Sequence, residues 1–178
     1  LCKNGTEKYH ILTALKLTGE GLGAAFFDPY QYVAAGLYSV SVGTVANGIE
    51  RGAAFGSEKS WFGFENVDFG SLGSDTITIG FFANCTTPVN IRFYDGRPDE
   101  GGELIGEFSY WLQPIWLTYQ DYTFKLSKKL TGVHTLVMES DDKYDVGGFV
   151  FEKPVKEFAE ICSVWNEEIY GDKFTVEN

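Results

Sequence analysis

The chain has 178 residues, with 25 acidic side chains against 14 basic ones and a net charge of −11 at neutral pH. A surface this acidic, whose Lys and Arg do not cluster, excludes nucleic acid as a partner, because phosphate backbones are held by basic stripes. No apolar run approaches the ~20 residues of a membrane-spanning helix, which excludes a membrane partner of that kind, and the opening residues lack the charged and apolar regions of a signal peptide, so the sequence reads as a piece of a larger protein.

Aromatic residues make up 16% of the chain and glycines number 21, a composition that fits many short strands joined by tight turns. In chain order, Tyr9, Ile11, Thr13, Leu15 and Leu17 alternate through "KYHILTALKLTG" and predict a strand that ends at Gly19. A loop rich in Gly, Pro and Tyr follows. In "LYSVSVGTVANG", Leu37, Ser39 and Ser41 alternate with Tyr38, Val40 and Val42 and predict the next strand. Further strands are expected near 61–69, 75–83, 88–95, 103–110, 116–126, 133–139 and 146–152. Turn signals separate them, such as Gly70 to Ser74 inside "FENVDFGSLGSDTITIGFFA". This even spacing predicts an all-β sandwich. After Pro154 the texture changes: Val155, Phe158, Ile161 and Cys162 fall at helical spacing, and Lys173 to Val176 read as a strand. The division expected is a flanking strand and linker at 1–36, a sandwich module at 37–154 and an extension, or the start of a following module, at 155–178.

Catalytic constellations are sparse. Cys2, Cys85 and Cys162 cannot all pair with one another and show no zinc spacing. His10 and His134 are the only imidazoles, and His134, within "LTGVHTLVM", reads as a strand side chain making a structural hydrogen bond. No nucleophile elbow, phosphate loop or metalloprotease helix occurs. The acidic stretch "ESDDKYD" at 139–145 carries oxygen ligands of the type calcium takes, but without EF-hand spacing it reads first as a solvated loop. The sequons at Asn4 and Asn84 are common by chance.

The aromatics say more. Tryptophans stand at 61, 111, 116 and 165. A flat ring on a loop can stack on the apolar face of a sugar while nearby polar groups take the hydroxyls. Trp116 follows Gln113, Pro114 and Ile115, a segment that should turn, so its ring is expected to be partly exposed. Most aromatics of a sandwich fill its core.

From Gly52 to Glu152 the sequence resembles carbohydrate-binding module family 6 and its relatives with the galactose-binding-like jelly-roll fold. The resemblance rests on five pieces in order. Phe55 precedes Trp61 by six residues and leads to "NVDFGS"; "VNIRFYD" is followed by "GGELIGEF"; Trp116-Leu117-Thr118-Tyr119 enters a long strand; then come "LTGVHTLVM" and "YDVGGFVFEK". It implies a non-catalytic module that binds a polysaccharide or oligosaccharide, with neighbouring domains of a larger bacterial glycoside hydrolase in an extracellular or cell-surface setting. Carried across, the ring clamp is Phe55 and Trp116 and the polar contact is Asp145. Phe55 stands for a usual Tyr and Asp145 for a usual Asn, which shifts recognition toward hydrogen-bond donors on the ligand. Calcium is the one cofactor the resemblance brings. Gly147 and Gly148 stand where the family has an Asp ligand and a Trp, and no Glu-x-Glu pair opens the module near residue 38, so no metal ligand is assigned. The closing "EEIYGDKFTVEN" is similar to junctions between modules of family 2 glycoside hydrolases. Two alternatives stand beside this reading: a structural spacer whose sugar site is degenerate, and, last, a small hydrolase using the acidic loop.

Overall fold

The computed structural model describes residues 26–155. The strand expected at 9–17, the helical spacing that runs on from Val155, the strand at 173–176 and residues Cys2, Asn4, His10, Cys162 and Trp165 lie outside the described residues. Among the described residues there are eleven strands: β1 (Val33–Ala34), β2 (Val40–Val42), β3 (Val45–Asn47), β4 (Ala53–Phe55), β5 (Ser60–Asp68), β6 (Ser74–Phe82), β7 (Val89–Asp95), β8 (Glu103–Tyr110), β9 (Gln120–Leu130), β10 (Val133–Ser140) and β11 (Asp145–Phe151). They form two antiparallel sheets. One has the order β3-β4-β11-β6-β9, with β1 also paired to β11, and the other has the order β2-β5-β10-β7-β8. The fold is the expected all-β jelly-roll sandwich.

Alternation decides which side chains fill the interior. On β6, Ile77, Ile79 and Phe81 are fully buried, while Thr78 between them points outward and shares a 2.8 Å hydrogen bond with the Thr123 hydroxyl of β9. The second sheet answers with Phe62 and Phe64, Ile91 and Phe93, and Leu136 and Met138, all within the same buried cluster. Phe64 of β5 meets Phe149 of β11 edge to face at 5.0 Å, joining the two sheets. Each buried Phe, Leu or Ile contributes about 1.5–3 kcal/mol through removal of apolar surface from water.

Two strands differ from expectation. The run from Leu37 to Gly48 is two strands in opposite sheets, because the chain turns at Gly43 (φ 82°): β2 pairs with β5 and β3 with β4. The strand expected at 116–126 starts at Gln120 and runs to Leu130. Leu117 has φ 52°, which is incompatible with a pleated strand, so the chain is still turning at the Trp-x-x-Tyr segment. Part of the stretch ahead of residue 37 packs on the sandwich: Phe27 bridges to Val67, and Val33 and Ala34 pair with Phe149 and Gly148.

The acidic stretch 139–145 is bound up in protein contacts. Glu139 is only 1% exposed, and its carboxylate takes the Arg92 Nε at 2.7 Å and lies 3.3 Å from the Lys59 ammonium. Asp141 takes the Arg92 Nη2 at 2.6 Å, and Asp142 accepts the Asn90 N–H at 2.8 Å. His134 is also structural, held between Asp95 Oδ1 and the Thr131 carbonyl, both at 2.8 Å.

Candidate carbohydrate-binding site

Trp116 belongs to the loop between β8 and β9. Pro114 fixes one φ there, and the Thr118 N–H closes a turn onto the Ile115 carbonyl at 3.1 Å. The turn places Leu117 in left-handed conformation, where a non-glycine residue costs of order 1–3 kcal/mol. Its effect is to turn the indole outward: Trp116 is 71% exposed. The ring is not loose, because it rests on Phe82 with centroids 6.0 Å apart and planes at 82°.

Phe82 is the last residue of β6, and its register partner on β11 is Asp145. Opposite residues of a ladder present their side chains on one face, so the Asp145 carboxylate stands beside the support of Trp116. It accepts the Ile49 N–H at 3.3 Å. Burial pushes this carboxyl above its ordinary range, against the pull of the Ile49 N–H and the Lys143 charge.

Tyr119 extends the same face. Its hydroxyl donates to the Ile49 carbonyl at 2.7 Å, and its ring covers Gly147, where a Cβ would come within 2.7 Å of the ring. The neighbouring Gly148 lies under Tyr32, at 2.6 Å from such a Cβ to the ring. The two glycines at the family's Asp and Trp positions therefore form a floor for tyrosine rings. Tyr32 is itself 63% exposed. Its hydroxyl is held protonated by partial burial and by the charges of Asp121 and Glu50, and that of Tyr119 by burial and chiefly the charge of Asp145, with Glu50 adding to it. These shared influences bring Tyr32, Tyr119, Glu50, Asp121 and Asp145 into one neighbourhood. Glu50 and Arg51 have φ 45° and 67°. Among the described residues, three of the four non-glycine residues with positive φ thus flank this face, a concentration of strain that marks binding sites more often than plain scaffold.

Phe55 is not part of it. The ring is 1% exposed, packed on Phe62 at 4.9 Å and Tyr144 at 5.2 Å. On β4, Ala53 and Phe55 face inward and only Ala54 faces outward, so the clamp expected from Phe55 and Trp116 is corrected: Phe55 is a core residue. Trp116 and Asp145 lie together on the outer face. Tyr32, Tyr119, Glu50 and Asp121 join them without having been singled out in the sequence. The Trp-x-x-Tyr spacing already contained Tyr119; Tyr32, in the "DPYQY" loop, offered no signal beyond its type.

For calcium, the described residues contain no group of three or more His, Cys, Asp or Glu side chains that could hold a metal ion. Residues 147 and 148 lack side chains and lie under tyrosines, and Glu139, Asp141 and Asp142 are engaged by protein donors. This donor set does not fit a calcium site at those positions.

No protein-family model matches the chain. Over 112 residues, 63% of this chain, it is 30% identical to endo-1,4-beta-xylanase A of Thermoclostridium stercorarium, represented by two sequences of which it spans 20% and 16%. The chain therefore covers a fifth or less of the curated relatives it matches. Among solved structures it superposes on a family 6 module from Clostridium stercorarium in complex with cellobiose (TM-score 0.61, 21% identity, covering 74% of this chain and 99% of that one). It also superposes on a β-1,3-glucan-binding family 6 module from Bacillus halodurans (0.59, 17%, 72% and 99%). A third match is a family 6 module from Clostridium cellulolyticum in complex with xylose (0.55, 24%, 71% and 99%). The described strands, their order and these superpositions agree: the chain has the fold of the family 6 carbohydrate-binding modules.

Proposed function

We propose that this chain is a non-catalytic carbohydrate-binding module that anchors a glycoside hydrolase to its polysaccharide or glycan substrate. The observation that carries the reading is the Trp116 ring, exposed yet braced on Phe82, beside the Asp145 carboxylate. The ring offers a flat apolar platform, and the carboxylates of Asp145, Glu50 and Asp121 accept from sugar hydroxyls. The similar modules that carry cellobiose and xylose, and the xylanase relative, support the ligand class and the setting of the parent enzyme. Anchoring raises the effective concentration of substrate at a linked catalytic domain. An extracellular or cell-surface location suits such a substrate, a polymer that does not enter cells, and the xylanase relative supports a bacterial setting.

Affinity electrophoresis in gels containing xylan or β-glucan tests this. Stacking is worth roughly 1–3 kcal/mol per ring by analogy with base–aromatic stacking, so Trp116→Ala should lose about 5- to 150-fold in affinity. Equal retardation of variant and wild type would rule out Trp116 as the platform. Burial of Phe55 favours one other reading, a structural spacer with a degenerate site, since one ring of the family clamp is gone. Wild-type protein that is retarded by no glycan would establish the spacer.

A further inference from the structure

A surface cavity opens between residues 84–87 and the start of the Trp116 loop. Its volume is about 520 Å³, against about 200 and 210 Å³ for the cavities beside Gly73 and Phe69. Asn84, Thr86, Thr87, Trp111, Gln113 and Pro114 line it. We infer that this groove is a second carbohydrate subsite, which takes a further neutral sugar unit of the chain held at Trp116. The inference rests on the proposed function and extends it.

Three observations carry it. The first is size, within the few hundred Å³ of small-ligand pockets. The second is chemistry. In a protein of net charge −11, the lining holds no charged side chain, only amides, hydroxyls, a thiol, an indole and a proline. A charged ligand would give up hydration with no opposite charge to receive it, whereas a hydroxyl-rich neutral ring finds donors and acceptors on Asn84, Thr86, Thr87 and Gln113, all exposed. The third is rigidity. The indole N–H of Trp111 donates to the Cys85 carbonyl at 3.2 Å, which fixes the orientation of a ring that is 44% exposed. The Gln120 side-chain amide donates to the Gln113 carbonyl at 3.1 Å and its oxygen accepts from the Tyr110 hydroxyl at 3.3 Å, pinning the far wall. A held ring loses less entropy on binding than a free one.

The two sites are continuous through the chain. Phe82 supports Trp116, and Asn84, two residues on, lines the groove. Trp111 and Trp116 are five residues apart, so their Cα atoms lie within about 17 Å. That span is within reach of an oligosaccharide of a few units held on Trp116.

The test is calorimetric titration of xylo- and cello-oligosaccharides of increasing length into wild type, Trp111→Ala, Gln113→Ala and Trp116→Ala. Wild-type affinity should rise with chain length. Trp111→Ala should lose roughly 5- to 150-fold for the longest oligosaccharide and stay near wild type for the disaccharide. Gln113→Ala, which cannot unfold the loop through its backbone carbonyl, should show a smaller loss of the same length dependence. Trp116→Ala should lose at every length. If Trp111→Ala and Gln113→Ala match wild type at every length while Trp116→Ala is impaired, the groove is no subsite and the proposed function stands. If wild type binds no oligosaccharide and no polysaccharide, the groove and the proposed function both fall.

Discussion

Phe82 and Asp145 face each other across the β6–β11 ladder, and the indole of Trp116 stands on the Phe82 ring. Backbone pairing thereby fixes the distance between an exposed platform and a hydrogen-bond acceptor. Phe82 acts through Trp116 and is a positioning residue. Phe82→Ala should weaken glycan retention in affinity gels by less than Trp116→Ala does, with Trp116 still present; unchanged retention would show that the ring needs no support.

Tyr32 lies over Gly148 and is 63% exposed, which makes it the candidate for a second stacking ring beside Trp116. Tyr32→Ala should reduce affinity by a stacking contribution of about 1–3 kcal/mol without lowering the melting temperature appreciably. Tyr32→Phe should keep most of the affinity. A large loss of stability in Tyr32→Ala would recast the residue as packing.

Phe55, by contrast, should report on stability alone. Removing a fully buried ring costs about 3–5 kcal/mol, so Phe55→Ala should shift the urea midpoint strongly. The fraction that remains folded should bind glycan as wild type does.

Arg92 is the main counter-charge of a carboxylate that is almost wholly buried, with Lys59 at 3.3 Å as the other cation. Arg92→Ala should cost about 3–5 kcal/mol, because it strips a buried charge of its principal partner. The double replacement Arg92→Met with Glu139→Leu should be far milder, and a double-mutant cycle in urea would measure the coupling.

Acid stability should depend on Asp95 and Asp145 with opposite signs. Burial raises the Asp95 pKa, but hydrogen bonds from Lys128 at 2.9 Å and His134 at 2.8 Å outweigh it, and the net shift is downward. Its contribution is therefore complete above the ordinary carboxylate value of ~3.9 and is lost as pH falls through the depressed folded value. Asp145 is raised, mainly by burial; its contribution is complete below ~3.9 and is lost as pH rises through the folded value. Urea titrations at stepped pH should find Asp95→Asn less stable than wild type at neutral pH, with the gap closing in acid. Asp145→Asn should be no less stable than wild type at neutral pH.

The long strands were legible because each is long enough to show its alternation. Thr76 to Ile79 put isoleucines inside and threonines outside, and the observed β6 begins and ends one residue from expectation. The Trp116 turn was legible in part: Gln113, Pro114 and Ile115 signal it, but the strand was expected from 116 and begins only at Gln120. What failed was short or non-local. β4 has three residues, too few for a pattern to say which of them faces inward, and spacing from Trp61 locates Phe55 along the chain without choosing its face.

The long strands, the resemblance that aligns them and the outward loop of Trp116 follow from periodicity and turn chemistry within a few residues, which the sequence carries locally. Only the tertiary structure decided that Phe55 belongs to the core and that Tyr32 lies beside Asp121 and Glu50. Both depend on β11 pairing with β1, β4 and β6, contacts between segments far apart in the chain, from Asp145 with Phe82 to Phe149 with Val33. Local propensity carries no information on such contacts, and only burial of the shared core selects them.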